Sequence, residues 1–117
     1  MNAIEEYRSF RDFLRAAHAE SKKASPGLSI ELYAKRLGLS GSLLKMILTG
    51  RRGLTISQIQ QVARSLRMSF DETAIFEAMV LLELSKTVAE RVYYRRRLKD
   101  AKTRAATRRF RASGREL

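Results

Sequence analysis

The sequence predicts an all-α fold, and three observations lead to this prediction. Apolar residues recur at steps of three and four along most of the chain, which is the spacing of one face of a helix. Serine or threonine stands just before several of these runs, where a helix would begin. Only one proline and six glycines interrupt the 117 residues, so long helices are expected.

The first helix is predicted over residues 2–22. Tyr7, Phe10 and Leu14 recur at helical spacing within it and would form its buried face. A Ser-Pro-Gly sequence at residues 25–27 ends the helix, because proline disfavours helix in the residue before it and glycine tolerates turn conformations.

Two short helices are predicted next. Ser29 is the expected N-cap of a helix that ends at Leu37, where Gly38 breaks it. Ser40 is the expected N-cap of a third helix over residues 41–49, and a glycine follows that helix as its stop. The second and third helices are therefore joined by only three or four residues.

Two capping-box patterns predict a fourth and a fifth helix. Thr55 is followed three positions later by Gln58, and Ser69 is followed in the same way by Glu72. The fifth helix is predicted to continue directly into the basic C-terminal region, because no glycine or proline occurs before Gly114. The apolar i, i+4 stripe that crosses into this region consists of Phe76, Val80, Leu84, Val88 and Val92.

The positive charge is concentrated at one end of the chain. The formal net charge is +12, and residues 86–117 contain 12 lysines and arginines against three acidic residues. A cationic surface of this strength indicates a polyanionic partner, because it displaces the counterions condensed on a nucleic acid. We therefore predict a domain over residues 1–85 and a basic extension over residues 86–117, either helical or disordered when free.

The residue inventory argues against an enzyme. The chain has no cysteine and one histidine, His18, which we expect at the solvent edge of the first helix. We expect no metal site, no cofactor and no small-molecule substrate. The N-terminus lacks the apolar stretch of a signal peptide, and no apolar run is long enough for a membrane span. We therefore expect a soluble, cytoplasmic protein.

The segment YAKRLGLS at residues 33–40, followed by Leu44, Ile47 and the Gly-Arg-Arg of residues 50–52, resembles the Xre/Cro (lambda-repressor-like) helix-turn-helix family. In this comparison Ala34 supplies the small residue at the helix crossing and Gly38 the permissive backbone of the turn. The resemblance covers residues 29–84 and implies a five-helix, lambda-repressor-like helix-turn-helix domain, here followed by a long basic C-terminal helix or arm.

Four segments are similar to one narrower group of bacterial regulators within this family. They are YRSF, LSIELYAKRLGLS, LTGRRGLT and IFEAMVLLELSKT. In that group, as the resemblance implies, such a module heads a longer chain whose second domain has no settled function. Here an arginine-rich arm is expected in place of that domain.

The resemblance implies a DNA-binding surface on the third helix. Its N-terminal residues would reach base edges in the major groove. The base-facing candidates are Ser40, Gly41, Ser42, Lys45 and Met46. Only the lysine is a strong guanine donor, so base readout is expected to be modest. The phosphate-contacting candidates are Thr49, Arg51, Arg52, Arg95, Arg96, Arg97, Lys99, Lys102, Arg104, Arg108, Arg109 and Arg111.

The fifth helix carries more apolar surface than one face can hold. We expect the excess to pair two copies of the chain, as members of the family commonly bind DNA as two-fold dimers. The candidate interface residues are Phe76, Met79, Val80, Leu81, Leu84 and Val88.

These observations favour a DNA-binding transcriptional regulator with double-stranded DNA as its partner. A nucleoid-type or RNA-binding protein that recognises charge and shape is an alternative within the same class. An interaction adaptor or antitoxin-like protein, whose basic arm folds on an acidic protein, is an alternative of another class. Specific DNA binding predicts one protected site, a packaging protein predicts length-dependent coating, and an adaptor predicts no appreciable affinity for DNA.

Overall fold

A computed structural model describes residues 2–114 and confirms the all-α prediction: these residues form helices, turns and loops, with no strand among them. A short 3-10 turn at Ile4–Glu6 precedes six α-helices. The helices are α1 (Phe10–Ala24), α2 (Ile30–Arg36), α3 (Gly41–Leu48), α4 (Ile56–Ser65), α5 (Phe70–Leu84) and α6 (Val88–Ala112).

The first helix begins later than the sequence predicted. Instead of a helix from residue 2, the chain forms the 3-10 turn, passes through extended residues, and enters α1 only at Phe10. The reason is the N-cap: the Ser9 hydroxyl accepts a hydrogen bond from the Asp12 amide at 3.1 Å, with Ser9 itself extended. Ile4, carried by the 3-10 turn, is buried in the core.

The predicted starts of the next four helices are confirmed. Ser29, Ser40, Thr55 and Ser69 are the N-caps of α2, α3, α4 and α5, each accepting a hydrogen bond from the amide three residues later. Both capping boxes are complete, with the glutamine or glutamate side chain bonded back to the cap amide.

The prediction of one helix running from α5 into the basic region was wrong. Residues 85–87 interrupt it, and α6 folds back and packs mainly on α5. The Thr87 hydroxyl accepts from the Glu90 amide at 3.0 Å and starts a new helix. Ala101 and Ala105 are buried at the contact with α5, because small side chains let two helix axes approach closely. The predicted apolar stripe therefore does not stay on one side: Val88 and Val92 are exposed.

Phe10 and Phe76 join α1 to α5 at the centre of the core. Both rings are fully buried and meet edge to face, with their centroids 6.3 Å apart. Leu44 and Ile47 bury the inner face of α3 in the same core, which leaves the opposite face of α3 in solvent.

Candidate nucleic-acid interface

A tight turn fixes the angle between α2 and α3. Gly38 has a φ of +77°, a conformation that favours glycine, and the Leu39 amide donates to the Ala34 carbonyl at 2.9 Å. A β-carbon at Gly38 would also overlap the side-chain amide of Gln61 on α4. Ala34 is completely buried where α2 meets its neighbours. A larger residue at position 38 would therefore strain the backbone and displace the Gln61 side chain.

Five residues at the start of α3 were predicted to face DNA bases, and three of them are exposed. These are Ser40, Ser42 and Lys45, while Gly41 and Met46 are partly covered. The Ser40 oxygen already accepts the Leu43 amide at 3.1 Å, so its hydroxyl proton and one lone pair are left for other partners. The exposed polar groups on this face are few.

Lys45 is not free in the isolated chain. Its ammonium group lies 2.7 Å from a carboxylate oxygen of Glu31 on α2, and both side chains are more than half exposed. The Glu31 side chain crosses the first turn of α3, with its Cγ only 2.9 Å from where a β-carbon on Gly41 would lie. Sequence reasoning missed Glu31, because a contact between residues 14 positions apart on two helices has no local signal.

Two arginines follow α3 on an exposed loop. The amides of Arg51 and Arg52 both donate to the Met46 carbonyl, at 2.9 and 3.3 Å, and Gly50 with a φ of +84° allows this turn. Their guanidinium groups are exposed and have no partner among the described residues. Thr49, predicted to contact phosphate, donates its hydroxyl proton to the Lys45 carbonyl at 2.9 Å and is less available for that contact.

Two arginines on α1 hold the C-terminal end of α3, and sequence reasoning missed both. Arg11 donates to the Ile47 carbonyl at 2.6 Å, stacks on the Phe10 ring and pairs with Glu83, while Arg15 donates to the Leu48 carbonyl. Positive charge at a helix C-terminus satisfies its free carbonyl groups. Burial, together with the charge of Arg15, lowers the pKa of Arg11. The i, i+4 spacing of the two arginines was the sequence signal that could have identified them.

Three of the predicted phosphate contacts on α6 are instead ion-paired within the chain. Arg97 lies 3.8 Å from Glu77, Arg108 lies 3.0 Å from Asp71, and Arg109 pairs with Glu5. Asp71 and Glu5 are largely buried. These ion pairs link α6 to the rest of the domain and make the three arginines less available to phosphate, and phosphate contact by them stays a prediction.

The other predicted phosphate contacts on α6 fall into two groups. Five have no ion-pair partner in residues 2–114, which makes them the available part of the predicted phosphate surface. They are Arg95, Arg96, Lys99, Lys102 and Arg104. Three of them line one shallow groove with Leu98 between them. Arg111 is not one of these five available cations, because it interacts with another group.

Half of the predicted dimer residues are buried inside the chain. Phe76, Met79 and Val80 belong to the core of the monomer and have almost no surface left for a partner, which corrects that prediction. Leu81 is partly covered. Leu84 and Val88 remain exposed, at 42% and 69%, beside the turn between α5 and α6. The exposed interface candidates therefore lie at this turn.

His18 differs from its prediction. It is half-buried rather than at the solvent edge, and its ring packs on Tyr33 at a centroid distance of 4.9 Å. Burial raises the pKa of the Tyr33 hydroxyl. Neither residue belongs to a possible metal cluster, since no group of three or more potential ligands occurs in the part of the chain that the structure describes.

No helix in residues 2–114 is both long and apolar enough to cross a membrane. No protein-family model matches the chain, and no match was found among curated proteins or among solved structures. The resemblance to the Xre/Cro family therefore stays a prediction from the residues quoted above.

Proposed function

We propose that the chain is a DNA-binding transcriptional regulator that places α3 in the major groove. The observation that carries this proposal is the α2–α3 unit: two short helices, joined by a tight glycine turn, that leave Ser42 and Lys45 exposed on α3. A helix presented in this way fits the width of the major groove, and its N-terminal residues are the ones that reach base edges.

The charge around α3 supports the same proposal. Arg51 and Arg52 extend from the loop that follows the helix, and neither guanidinium is neutralised by a described residue. Arginine forks match phosphate oxygens and fix the register of a protein on DNA without reading its sequence. The net charge of +12 would attract DNA and release its counterions on binding.

The basic helix α6 would add affinity that does not depend on sequence. Arg95, Lys99 and Lys102 follow each other at one-turn intervals along the exposed groove of this helix. Cations at this spacing can each neutralise a phosphate. Arg97, Arg108 and Arg109 pair with carboxylates of the domain and are therefore less available to phosphate.

We also propose that two copies of the chain pair through the exposed apolar residues at the α5–α6 turn. Leu84 contacts Gly53 in the loop between α3 and α4, so this turn lies beside the loop that carries Arg51 and Arg52. For binding to two half-sites, the two-fold axis has to orient both α3 helices toward the same side of the dimer. Such an arrangement suits half-sites about one DNA turn apart.

A second candidate function is favoured by the pairing of Lys45. Because the strongest base donor on α3 already has a carboxylate partner, the helix presents little free capacity for reading bases. A nucleoid-type or RNA-binding protein would use the charge alone. In both functions the protein would act on nucleic acid in a bacterial cytoplasm.

A salt titration of binding separates the two functions. Affinity is measured for one random 30-base-pair duplex and for a duplex pool that the protein selects from randomised DNA. A regulator binds the selected pool about a thousandfold more tightly at one salt concentration. Equal affinities that fall steeply with salt would contradict the proposal and favour the nucleoid-type function.

A further inference from the structure

The pair formed by Glu31 and Lys45 is the unexplained feature of the proposed DNA-binding face. A carboxylate beside a DNA-binding helix repels phosphate, so it costs affinity. It contributes little stability in return, because an exposed ion pair in water is weak. Both side chains are more than half exposed, at 59% for Glu31 and 57% for Lys45. Stability therefore does not account for this pair.

The absence of a side chain at Gly41 leaves space for Glu31 beside the first turn of α3. The backbone conformation does not require a glycine at position 41, because its φ is not positive. Its missing side chain instead leaves room for Glu31, whose Cα lies 3.3 Å and whose Cγ lies 2.9 Å from the position that a β-carbon would take. Glu31 thereby crosses from α2 over the first turn of α3 and reaches the lysine on the exposed side. The Lys45 hydrogen bond is the principal cause of a lowered pKa at Glu31, so this carboxyl is ionised at neutral pH.

The paired groups present a donor and an acceptor side by side. The ammonium group of Lys45 donates, the carboxylate of Glu31 accepts, and their atoms are 2.7 Å apart. In the major groove a G·C pair presents two guanine acceptors, N7 and O6, followed by the N4 amino donor of cytosine. O6 and N4 are themselves joined by a base-pair hydrogen bond of about 2.9 Å, so their spacing matches that of the two side chains.

We propose that Glu31 is a specificity-determining residue that, together with Lys45, reads one G·C base pair as a unit. This inference rests on the proposed function. Lys45 contacts the guanine acceptors while Glu31 accepts from the cytosine amino group. An A·T pair fits less well, because its acceptors lie on either side of the adenine amino group and the lysine can reach only one of them.

The carboxylate of Glu31 should reduce affinity for DNA of random sequence, and this loss can be measured. A lysine tied to Glu31 is less available to bind whichever phosphate lies nearest, and the carboxylate itself repels the backbone. Glu31 should therefore weaken binding to DNA of random sequence while it increases discrimination among sites. Loss of the carboxylate should reverse both effects.

The test uses the full chain and the variant Glu31→Gln, which keeps the shape of the side chain and removes its charge. Affinities are measured for a random 30-base-pair duplex and for the pool that the wild-type protein selects, and the variant then selects its own pool. We expect E31Q to bind the random duplex about threefold more tightly and to lose about tenfold in the selected-to-random ratio. We also expect one fixed G·C pair in the wild-type pool to become variable in the E31Q pool.

Two controls separate this role from general charge and from folding. Asp100→Asn removes one negative charge from the exposed part of α6, so it should leave the selected-to-random ratio unchanged. E31Q should unfold close to the wild-type midpoint, because an exposed ion pair contributes little stability. In the double variant E31Q/K45M the ratio should fall no further than in K45M alone, since the two residues act as one unit.

An unchanged ratio in E31Q, or an equal fall in D100N, would overturn the inference while leaving DNA recognition by α3 intact. A wild-type protein that selects no sequence at all would overturn both the inference and the proposed function.

Discussion

Among single residues, Gly38 has the strictest structural requirement. Two features favour glycine there: a positive φ that strains other residues, and the close approach of the Gln61 side-chain amide, which a β-carbon would displace. Gly38 lies in the turn that joins α2 to α3.

We predict that Gly38→Ala lowers the free energy of unfolding by about 1–2 kcal/mol, chiefly from backbone strain, because the Gln61 side chain can move away. Gly27→Ala is the matched control, because its φ is not in the left-handed region and no atom lies within 4 Å of the added carbon. Urea unfolding of both variants checks this. Equal stabilities for G38A and the wild type would mean that the turn does not have this conformation.

Glu31 provides a residue-scale prediction that depends on pH. Its pKa is lowered in the folded chain, chiefly by the Lys45 hydrogen bond. A lowered folded-state pKa stabilises the fold above the unfolded-state pKa, and this contribution is lost as the pH falls through the folded-state value. In Lys45→Met the pKa of Glu31 should rise toward its ordinary value. An NMR titration of the glutamate carboxyl measures this, and an identical pKa in both proteins would exclude the pair in solution.

For the helices, the decisive feature is the interruption between α5 and α6. Residues 85–87 contain neither glycine nor proline, yet Ser85 is extended and Thr87 caps a new helix. The basic region consequently folds back on α5 instead of projecting from the domain. This places Arg97, Arg108 and Arg109 beside the carboxylates that neutralise them.

Thr87→Ala distinguishes an interrupted helix from a continuous one. Loss of an N-cap should lower the free energy of unfolding by about 1 kcal/mol. In the middle of one long helix the same change would stabilise the protein, because alanine has the higher helix propensity. Thermal or urea unfolding gives the sign, and a more stable T87A would rule out the turn.

Packing of α6 on α5 gives a second prediction for this pair of helices. Ala105 is buried against the domain and its neighbour Ala106 is exposed, so the two positions form a matched pair. Ala105→Leu should lower the free energy of unfolding by about 1–3 kcal/mol through overpacking, or release α6. Ala106→Leu should change it by less than about 0.5 kcal/mol. Equal effects would show that α6 does not pack through this face.

Features that depend on neighbouring residues could be predicted from the sequence. The caps at Ser29, Ser40, Thr55 and Ser69 were found because each bonds an amide only three positions away. Thr87 and Glu90 form the same kind of Thr-x-x-Glu pattern. The prediction nevertheless favoured a continuous helix, because the apolar stripe crosses these residues.

Contacts between distant residues had no such signal. Arg109 pairs with Glu5, 104 positions away, and Lys45 pairs with Glu31 on another helix. Phe76 and Val80 were assigned to a dimer because the sequence did not show that α1, α4 and α6 all surround α5. The composition therefore indicated the charge of the molecule, and only the fold separated its paired cations from its available ones.

At the scale of the whole molecule, two regions of available positive charge belong to the proposed DNA-binding surface. One contains Arg51 and Arg52 beside α3, and the other follows the outer side of α6. The core through Phe10 and Phe76 connects α1, α3 and α5 and fixes the position of α3. In our account α3 provides recognition, the cations provide affinity, and pairing at the α5–α6 turn sets the distance between two half-sites.

The most direct test of this account is protection of guanine N7 from methylation by dimethyl sulfate, measured on the selected duplex with the full chain bound. N7 lies in the major groove, so a helix inserted there shields it. We predict protected guanines in two segments of the major groove whose centres are about 10 base pairs apart. Guanines that all react as in free DNA, on a duplex shown to be fully bound, would contradict insertion of α3 and leave only binding to the phosphate backbone.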